Sequence, residues 1–271
     1  MPSPESSDGR RIRPSFMQDE WRPGMYYHLI GKAIPGRTLF TDEHSHLYFL
    51  KHVLRFKWQA IFQIFAYCLC GNHFHVAVQT RAREDIHMEL YGRPDHGLSA
   101  GDRHFLEDPD ADYVKYVQTA FRGPLSGFAQ HINHVEGLSG QLLIRPTLHG
   151  LTDKLGEPGL HFSRRLIAYV LLNYAKHHLA APTDKYRWSS LHSAQFKIVD
   201  VAALYRAFGG EAAFRTYLST YLKRWGKRFY DYEEDDFFTA ITPRRFDKVA
   251  GKWVIGEWDG MEAHDGGLAT R

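Results

Sequence analysis

Two histidines separated by a single residue, His73 and His75, are the first side chains whose spacing suggests chemistry. They open the alternating segment 73–79, which predicts a β-strand. Because successive side chains of a strand point to opposite faces, both imidazoles are expected on one face and Phe74 on the other. Two imidazoles on one face make half of a metal site, although a plain surface pair of histidines has the same spacing.

A tyrosine and an asparagine four residues apart form the second candidate pair. Tyr169 and Asn173 lie in an apolar segment, 163–178, that predicts a helix. A separation of four places both side chains on one helical stripe. If this helix packs across the face that bears His73 and His75, the Asn173 amide oxygen can complete a three-ligand set beside Tyr169. The alternative is that Tyr169 is an ordinary core residue.

Together these residues indicate phosphoryl transfer. Two imidazoles, an amide oxygen and waters suit Mg²⁺ or Mn²⁺ better than a closed zinc site. Such an ion would polarise a scissile phosphate while a tyrosine hydroxyl attacks the phosphorus. A free tyrosine, with a pKa of about 10, needs help in losing its proton.

The elements that must position these residues follow from periodicity and turn residues. The chain order is strand, helix, two strands, helix, strand, helix, at 25–30, 41–56, 60–70, 73–79, 112–132, 141–146 and 163–178. The Gly71-Asn72 link predicts a hairpin, and Gly123-Pro124 predicts a kink or two helices. This order predicts an α+β fold: a ferredoxin-like split βαβ core with an antiparallel sheet and the Tyr169 helix on one face.

The predicted core is flanked by segments of different character. Residues 1–23 are predicted to be a flexible leader, 24–195 the domain that carries the candidate site, and 81–111 within it a long loop or insertion. Residues 196–271 read as a helical C-terminal extension, in which a basic run at 223–228 precedes an acidic one. Such opposed blocks are typical of a solvated face, and the basic half is a candidate DNA contact.

Composition limits the classes of protein. The 271 residues carry 34 Lys and Arg against 31 Asp and Glu, so the net charge is +3, which permits nucleic acid as a partner. Neither a signal-peptide core nor a membrane-spanning apolar run is visible, so a cytoplasmic protein without membrane contact is expected.

The two cysteines, Cys68 and Cys70, alternate on one predicted strand. Core thiols are the first interpretation of this pair, and half of a metal site is the second.

Several of these stretches resemble one family, the HUH single-strand transposases with one catalytic tyrosine, especially the REP-associated tyrosine transposases and their insertion-sequence relatives. The resemblance spans about Tyr26 to Ser190 and is strongest at Ala66–Val78, which is similar to the family's Tyr-x-Leu-x-Pro-Asn-His-Phe-His strand. Gly140–Pro146 is similar to the strand before the catalytic helix. The stretches that contain Tyr169–Asn173 and Tyr186–Ser190 match that helix and its exit.

The resemblance implies a ferredoxin-like nuclease core that uses Mg²⁺ or Mn²⁺. It implies that His73, His75 and Asn173 bind the ion and that Tyr169 forms a 5′-phosphotyrosine link. The implied partner is single-stranded DNA with a hairpin or palindromic repeat, cut and rejoined next to the hairpin. The family allows a homodimer as well as a monomer. Basic and aromatic side chains near the expected site are the candidate DNA contacts: Arg145, Lys176, Arg187 and Trp188.

Two other functions remain open. The chain has Gly71 where the family has proline before Asn72-His73, and Tyr174 where it has proline after Asn173. A non-catalytic or repurposed DNA-hairpin binding protein would accommodate these departures. A replication-initiator or relaxase relative is the third reading, and such proteins often carry a third histidine that the 73–75 motif lacks.

Overall fold

The computed structural model describes residues 21–94, 97–144, 147–151, 160–181, 185–193, 196–231, 244–247 and 252–255. The predicted leader therefore lies outside the described residues up to residue 20, and so does the candidate DNA contact Arg145. Trp21, at the end of that leader, is buried in the core. None of the helices in the described part combines the length and the apolar character that crossing a lipid bilayer requires.

The centre of the fold is a four-stranded sheet in the order β2-β3-β1-β4. Its strands are β1 (Tyr26–Lys32), β2 (Phe62–Cys70), β3 (His73–Thr80) and β4 (Thr147–Leu151), and neighbouring strands are antiparallel. The predicted Gly71-Asn72 hairpin joins β2 to β3. With the helices between β1 and β2 and between β3 and β4, this is the predicted α+β, ferredoxin-like arrangement.

The helices of the described residues follow the predicted order with added short segments. They are α1 (Glu43–Tyr48), a π-helix (Phe49–Trp58), α2 (Gln59–Ile61), α3 (Arg83–Tyr91), α4 (Ala100–Glu107), α5 (Tyr113–Val135), α6 (Leu160–Lys176), α7 (Val201–Phe208) and α8 (Glu211–Asp231). Asp42 begins the first of them, because its carboxylate accepts a hydrogen bond from the Ser45 amide at 2.8 Å.

Local structure differs from the sequence-based expectation at three places within residues 24–195. The strand expected at 141–146 does not form over the described residues 141–144, where Leu143 makes only an isolated bridge to Ala33, and β4 is found at Thr147–Leu151. The segment 81–111, predicted as a long loop or insertion, contains two helices and is therefore not a plain loop. Buried Ile86 and Leu90 anchor α3, and a capping box between Ser99 and Asp102 begins α4.

Of the two outcomes expected at Gly123-Pro124, a kink or two separate helices, the second is wrong, because α5 runs as a single helix with Pro124 inside it. Its buried positions continue at helical spacing across the proline, so packing sustains the helix where a hydrogen bond is lost: Val117, Phe121, Leu125, Phe128 and Ile132.

The sheet separates two apolar layers. On one face, residues such as Leu29 and Phe74 pack with the π-helix and α5. On the other face lie Ala66, Cys68 and Ala77, under α6, α7 and α8. The segment predicted as a helical C-terminal extension contains α7 and α8. It also contains β5 (Arg244–Asp247) and β6 (Lys252–Ile255), which pair as an antiparallel ribbon that the sequence analysis did not predict.

Candidate metal and nucleophile site

The two histidines of β3 lie on the sheet face that α6 covers. His73 and His75 are both buried, and their ring centroids are 5.0 Å apart. Phe74, between them, lies in the opposite apolar layer, as strand alternation predicts. On β2, Cys70 is paired with His73 and Cys68 with His75. Two buried, free thiols therefore lie next to the imidazoles on this face.

A third imidazole comes from the end of α6. The Nε2 atom of His177 lies 3.1 Å from Nε2 of His73, and one ligand atom from each of His73, His75 and His177 falls within 4.8 Å of the others. Two imidazole nitrogens bound to a common ion at about 2.1 Å lie about 3 Å apart. The three histidines therefore fit a divalent ion, and three nitrogen donors suit transition metals better than Mg²⁺.

Sequence reasoning missed His177 as a ligand, although a signal was present. Tyr169, Asn173 and His177 recur every four residues and so share one helical stripe. The helix α6 ends at Lys176, but the His177 amide still donates to the Asn173 carbonyl at 3.2 Å, which continues the stripe by one residue.

Contacts on the Nδ1 atoms orient the imidazoles of β3. Nδ1 of His73 lies 2.8 Å from the Asn72 side-chain oxygen, and Nδ1 of His75 lies 2.9 Å from Nε2 of His28 on β1. An imidazole that uses Nδ1 in this way has Nε2 as the nitrogen that can bind an ion. His28, which is fully buried, also stacks on the His75 ring, with centroids 5.0 Å apart.

The Tyr169 phenol lies beside this cluster, as the sequence hypothesis requires. Its ring centroid is 5.7 Å from that of His75 and 6.0 Å from that of His28, in edge-to-face geometry. The Lys176 ammonium donates to the Tyr169 hydroxyl at 3.4 Å and lies 5.3 Å from the ring centroid. Tyr169 is fully buried, and Lys176 is only 8% exposed.

The Asn173 side chain has a different neighbour from the one expected of a metal ligand. Its amide oxygen accepts a hydrogen bond from the Cys70 thiol at 3.5 Å. The neighbouring Cys68 and burial raise the pKa of Cys70 well above its ordinary value, so Cys70 remains a donor. The Asn173 amide nitrogen is buried with no hydrogen-bond partner among the described residues. Asn173 as a metal ligand stays a prediction.

Two of the candidate DNA contacts form a separate group near the start of α1. Arg187 pairs with Glu43 at 2.6 Å and lies over the Trp188 ring, 4.7 Å from its centroid. Trp188 also stacks on His46, at 4.1 Å between centroids. Lys176 instead lies beside Tyr169. DNA contact by these side chains stays a prediction.

Comparison with known proteins gives one distant likeness. No protein-family model matches the chain, and no curated protein matches it in sequence. A solved structure of a REP-associated tyrosine transposase bound to a REP hairpin is similar over 71% of this chain and 88% of that one, with 16% identity and a TM-score of 0.40. The chemistry of the site therefore has to be judged from the residues of this chain.

Proposed function

We propose that this chain is a metal-dependent single-stranded DNA endonuclease and strand transferase that acts through Tyr169 and cuts next to DNA hairpins. The observation that carries the proposal is the placement of a phenol 5.7 Å, ring to ring, from a histidine of a three-imidazole cluster. A tyrosine that served only to pack the core would not need three imidazoles close by. Histidines that served only a structural role would not need a phenol beside them.

The proposed step is an exchange of phosphodiester bonds. The Tyr169 oxygen forms a bond to phosphorus, the bond from phosphorus to the 3′ oxygen of the neighbouring nucleotide breaks, and the phenol loses its proton while the 3′ oxygen gains one. The product is a 5′-phosphotyrosine ester and a free 3′ hydroxyl. Because the ester keeps the phosphoryl group activated, attack by another 3′ hydroxyl rejoins the strand and releases Tyr169.

The residues of the site have separate tasks in this step. A divalent ion, when bound by His73, His75 and His177, supplies Lewis-acid stabilisation of the phosphate. Lys176 holds a positive charge against the Tyr169 hydroxyl, which stabilises the phenolate character that develops on attack. His28 holds the His75 ring in place through Nδ1. Three nitrogen donors favour Mn²⁺ over Mg²⁺ as the ion.

Access to Tyr169 must change when DNA binds. Tyr169 is fully buried, and Tyr221 of α8 lies near it. Burial and then Tyr217 raise the pKa of the Tyr221 phenol, and Tyr169 raises it further. A phosphate can reach the Tyr169 oxygen only after the side chains above it move. DNA binding is therefore proposed to open the layer between α6 and α8 before the chemical step.

Two alternatives have specific observations in their favour. The complete burial of Tyr169 favours a DNA-hairpin binding protein without cleavage. The third imidazole, His177, favours a replication-initiator or relaxase relative, in which three histidines hold the ion. The hairpin as substrate is supported by the sequence resemblance in the 66–78 and 169–173 stretches.

Covalent capture of DNA tests the proposal. Protein is incubated with 5′- or 3′-labelled hairpin single strands and Mn²⁺, and a denaturing gel is examined for a protein-linked band. We expect an adduct with the parent chain and with Tyr174→Phe, a matched control at a buried tyrosine that stacks on Tyr186. We expect none with Tyr169→Phe. An adduct that persists in Tyr169→Phe contradicts the role of Tyr169, and hairpin binding without any adduct supports the non-catalytic alternative.

A further inference from the structure

A groove lies on the side of the molecule opposite the Tyr169 site. It is formed by the π-helix, by residues at 93–94 and 97–102, and by α5, and it has a volume of about 890 Å³. The π-helix and α5 cover the sheet face that bears Phe74, whereas the Tyr169 site lies under α6 on the other face. The groove is large enough for a ligand of several rings and is separate from the site described above.

One wall of the groove is part of a ladder of rings. His44, Tyr48, His52 and Phe56 recur every four residues along α1 and the π-helix. Centroids are 4.4 Å apart for Tyr48 and His52, and 5.9 Å apart for His52 and Phe56. From α5, His131 stacks on Tyr48 at 3.8 Å.

The end of this ladder faces solvent. Phe56 is 48% exposed, and His44 and His52 are exposed as well. Phe56 lines the groove with about half of its surface open to solvent, so its ring is available for stacking by a flat ligand. The π-helix that carries Phe56 is itself a rare form that occurs frequently at functional sites.

The charge of the groove is positive. Arg55, Lys57 and Arg93 line it, and Asp102 is the one carboxylate among its described lining residues. Asp102 is already engaged, because it accepts from the Tyr116 hydroxyl at 2.8 Å and lies 3.9 Å from Lys57. Three cationic side chains against one carboxylate leave the described lining of the groove net positive, which suits an anionic ligand.

The opposite wall leaves room for flat groups. Along α5 the lining positions Ala120, Gly123 and Gly127 carry little or no side chain. A planar ring that stacks on Phe56 can therefore approach the α5 backbone closely. A ligand with flat rings joined by regularly spaced negative charges satisfies both walls at once, and single-stranded nucleic acid has this chemistry.

We infer that this groove binds unpaired nucleotides, with bases stacked at the Phe56 end of the ring ladder and phosphates near Arg55, Lys57 and Arg93. The inference does not depend on phosphoryl transfer at Tyr169, because the groove lies across the sheet from that site. It assigns the chain a second contact with single strands, one that needs no metal ion.

Binding in the absence of metal tests the groove separately from the Tyr169 site. The full chain with Tyr169→Phe is titrated, in EDTA, into a fluorescent oligo-dT of about 15 nucleotides, and anisotropy is followed at several salt concentrations. We expect Phe56→Ala to weaken binding about tenfold, since one base loses its stacking partner. We expect Arg55→Ala to lower the magnitude of the logarithmic salt slope by about 0.7.

Matched variants away from the groove serve as controls. Tyr91 is a 68% exposed ring on α3 outside the groove, and Arg206 is an exposed cation on α7. Tyr91→Ala and Arg206→Ala should bind as the parent does. Phe56→Leu, which keeps an apolar side chain but loses the ring, should still weaken binding if Phe56→Ala proves unstable.

Three outcomes would overturn the inference. The first is unchanged affinity and salt slope in folded Phe56 and Arg55 variants. The second is an equal loss in the Tyr91 and Arg206 controls. The third is binding of a duplex or of an acidic peptide as tightly as oligo-dT, which would remove the role of unpaired bases.

Discussion

The Nε2 atom of His28 lies 2.9 Å from the Nδ1 atom of His75, although the two residues are 47 positions apart. They are diagonal neighbours on β1 and β3, since His28 is paired with Ala77 and His75 with Ile30. One imidazole thus fixes the orientation of another that belongs to the candidate metal cluster.

His28→Leu is expected to weaken Mn²⁺ binding about 10- to 100-fold, because outer hydrogen-bond partners of metal ligands typically contribute this much. His28→Gln, which can still bond to Nδ1 of His75, should lose less. Isothermal titration with Mn²⁺ measures both variants, and circular dichroism checks that they are folded. Equal affinities for parent and His28→Leu would contradict a role for His28 in orienting His75.

His177→Ala is expected to lower metal affinity at least tenfold, because it removes one of three donors. The neighbouring His178 is exposed and lies outside the cluster, so His178→Ala is a matched control that should bind the ion as the parent does. Asn173→Ala distinguishes Asn173, the ligand predicted from the sequence, from His177, the third member of the imidazole cluster. If it abolishes binding while His177→Ala does not, Asn173 and not His177 is the third ligand.

Lys176→Met is expected to slow adduct formation about 100-fold, because the ammonium that donates to the Tyr169 hydroxyl is lost. Lys176→Arg keeps the charge and should recover part of the rate. The measurement is the single-turnover rate of the protein-linked band. Metal affinity is measured in parallel, and a loss of rate explained entirely by weaker metal binding would count against direct action on Tyr169.

Gly31→Ala is expected to destabilise the fold by about 1–3 kcal/mol, since a Cβ at this position would overlap the Phe74 ring. Gly127→Ala, at a helical glycine with open space around its Cβ position, should instead stabilise by about 0.5–1 kcal/mol. Urea denaturation of both variants gives the comparison. Equal changes in the free energy of unfolding for Gly31→Ala and Gly127→Ala would show that Phe74 leaves room for a Cβ on β1.

Asp42→Ala is expected to cost about 1 kcal/mol at neutral pH, as the loss of a helix cap usually does. The Ser45 amide and then its hydroxyl lower the pKa of Asp42 from 3.8, so the folded state favours the carboxylate. The stabilisation is therefore present above this ordinary pKa and is lost as the pH falls through the lower folded-state value. Urea denaturation is carried out from pH 7 to about pH 2.5. The difference in free energy of unfolding between the parent and Asp42→Ala should shrink as the pH falls. The difference between Asp42→Asn and Asp42→Ala should not change with pH in this way.

The parts of the site that follow from local periodicity could be predicted from the sequence. Strand alternation places His73 and His75 together, the Gly71-Asn72 turn gives the hairpin, and helical spacing places Tyr169 on the stripe that faces them. These features depend on neighbours in the chain, so the residue pattern is sufficient to predict them.

The remaining features depend on tertiary contacts. His28 looks like any strand residue until β1 pairs with β3 and brings it to His75. His177 follows the last helical residue, where polar side chains are usual, and becomes notable only beside His73. The late start of β4 depends on where the chain meets β1 after an isolated bridge. No local pattern specifies these contacts.

The three-imidazole cluster draws its donors from two different layers of the fold, His73 and His75 from the sheet and His177 from the end of α6. An ion bound by all three histidines would link α6 to the sheet. Tyr169 and Lys176 belong to the same helix, so this link through the ion would also fix their positions relative to the sheet. Loss of the ion would then remove this constraint from Tyr169 and Lys176 at the same time, so metal binding would control the positions of both side chains.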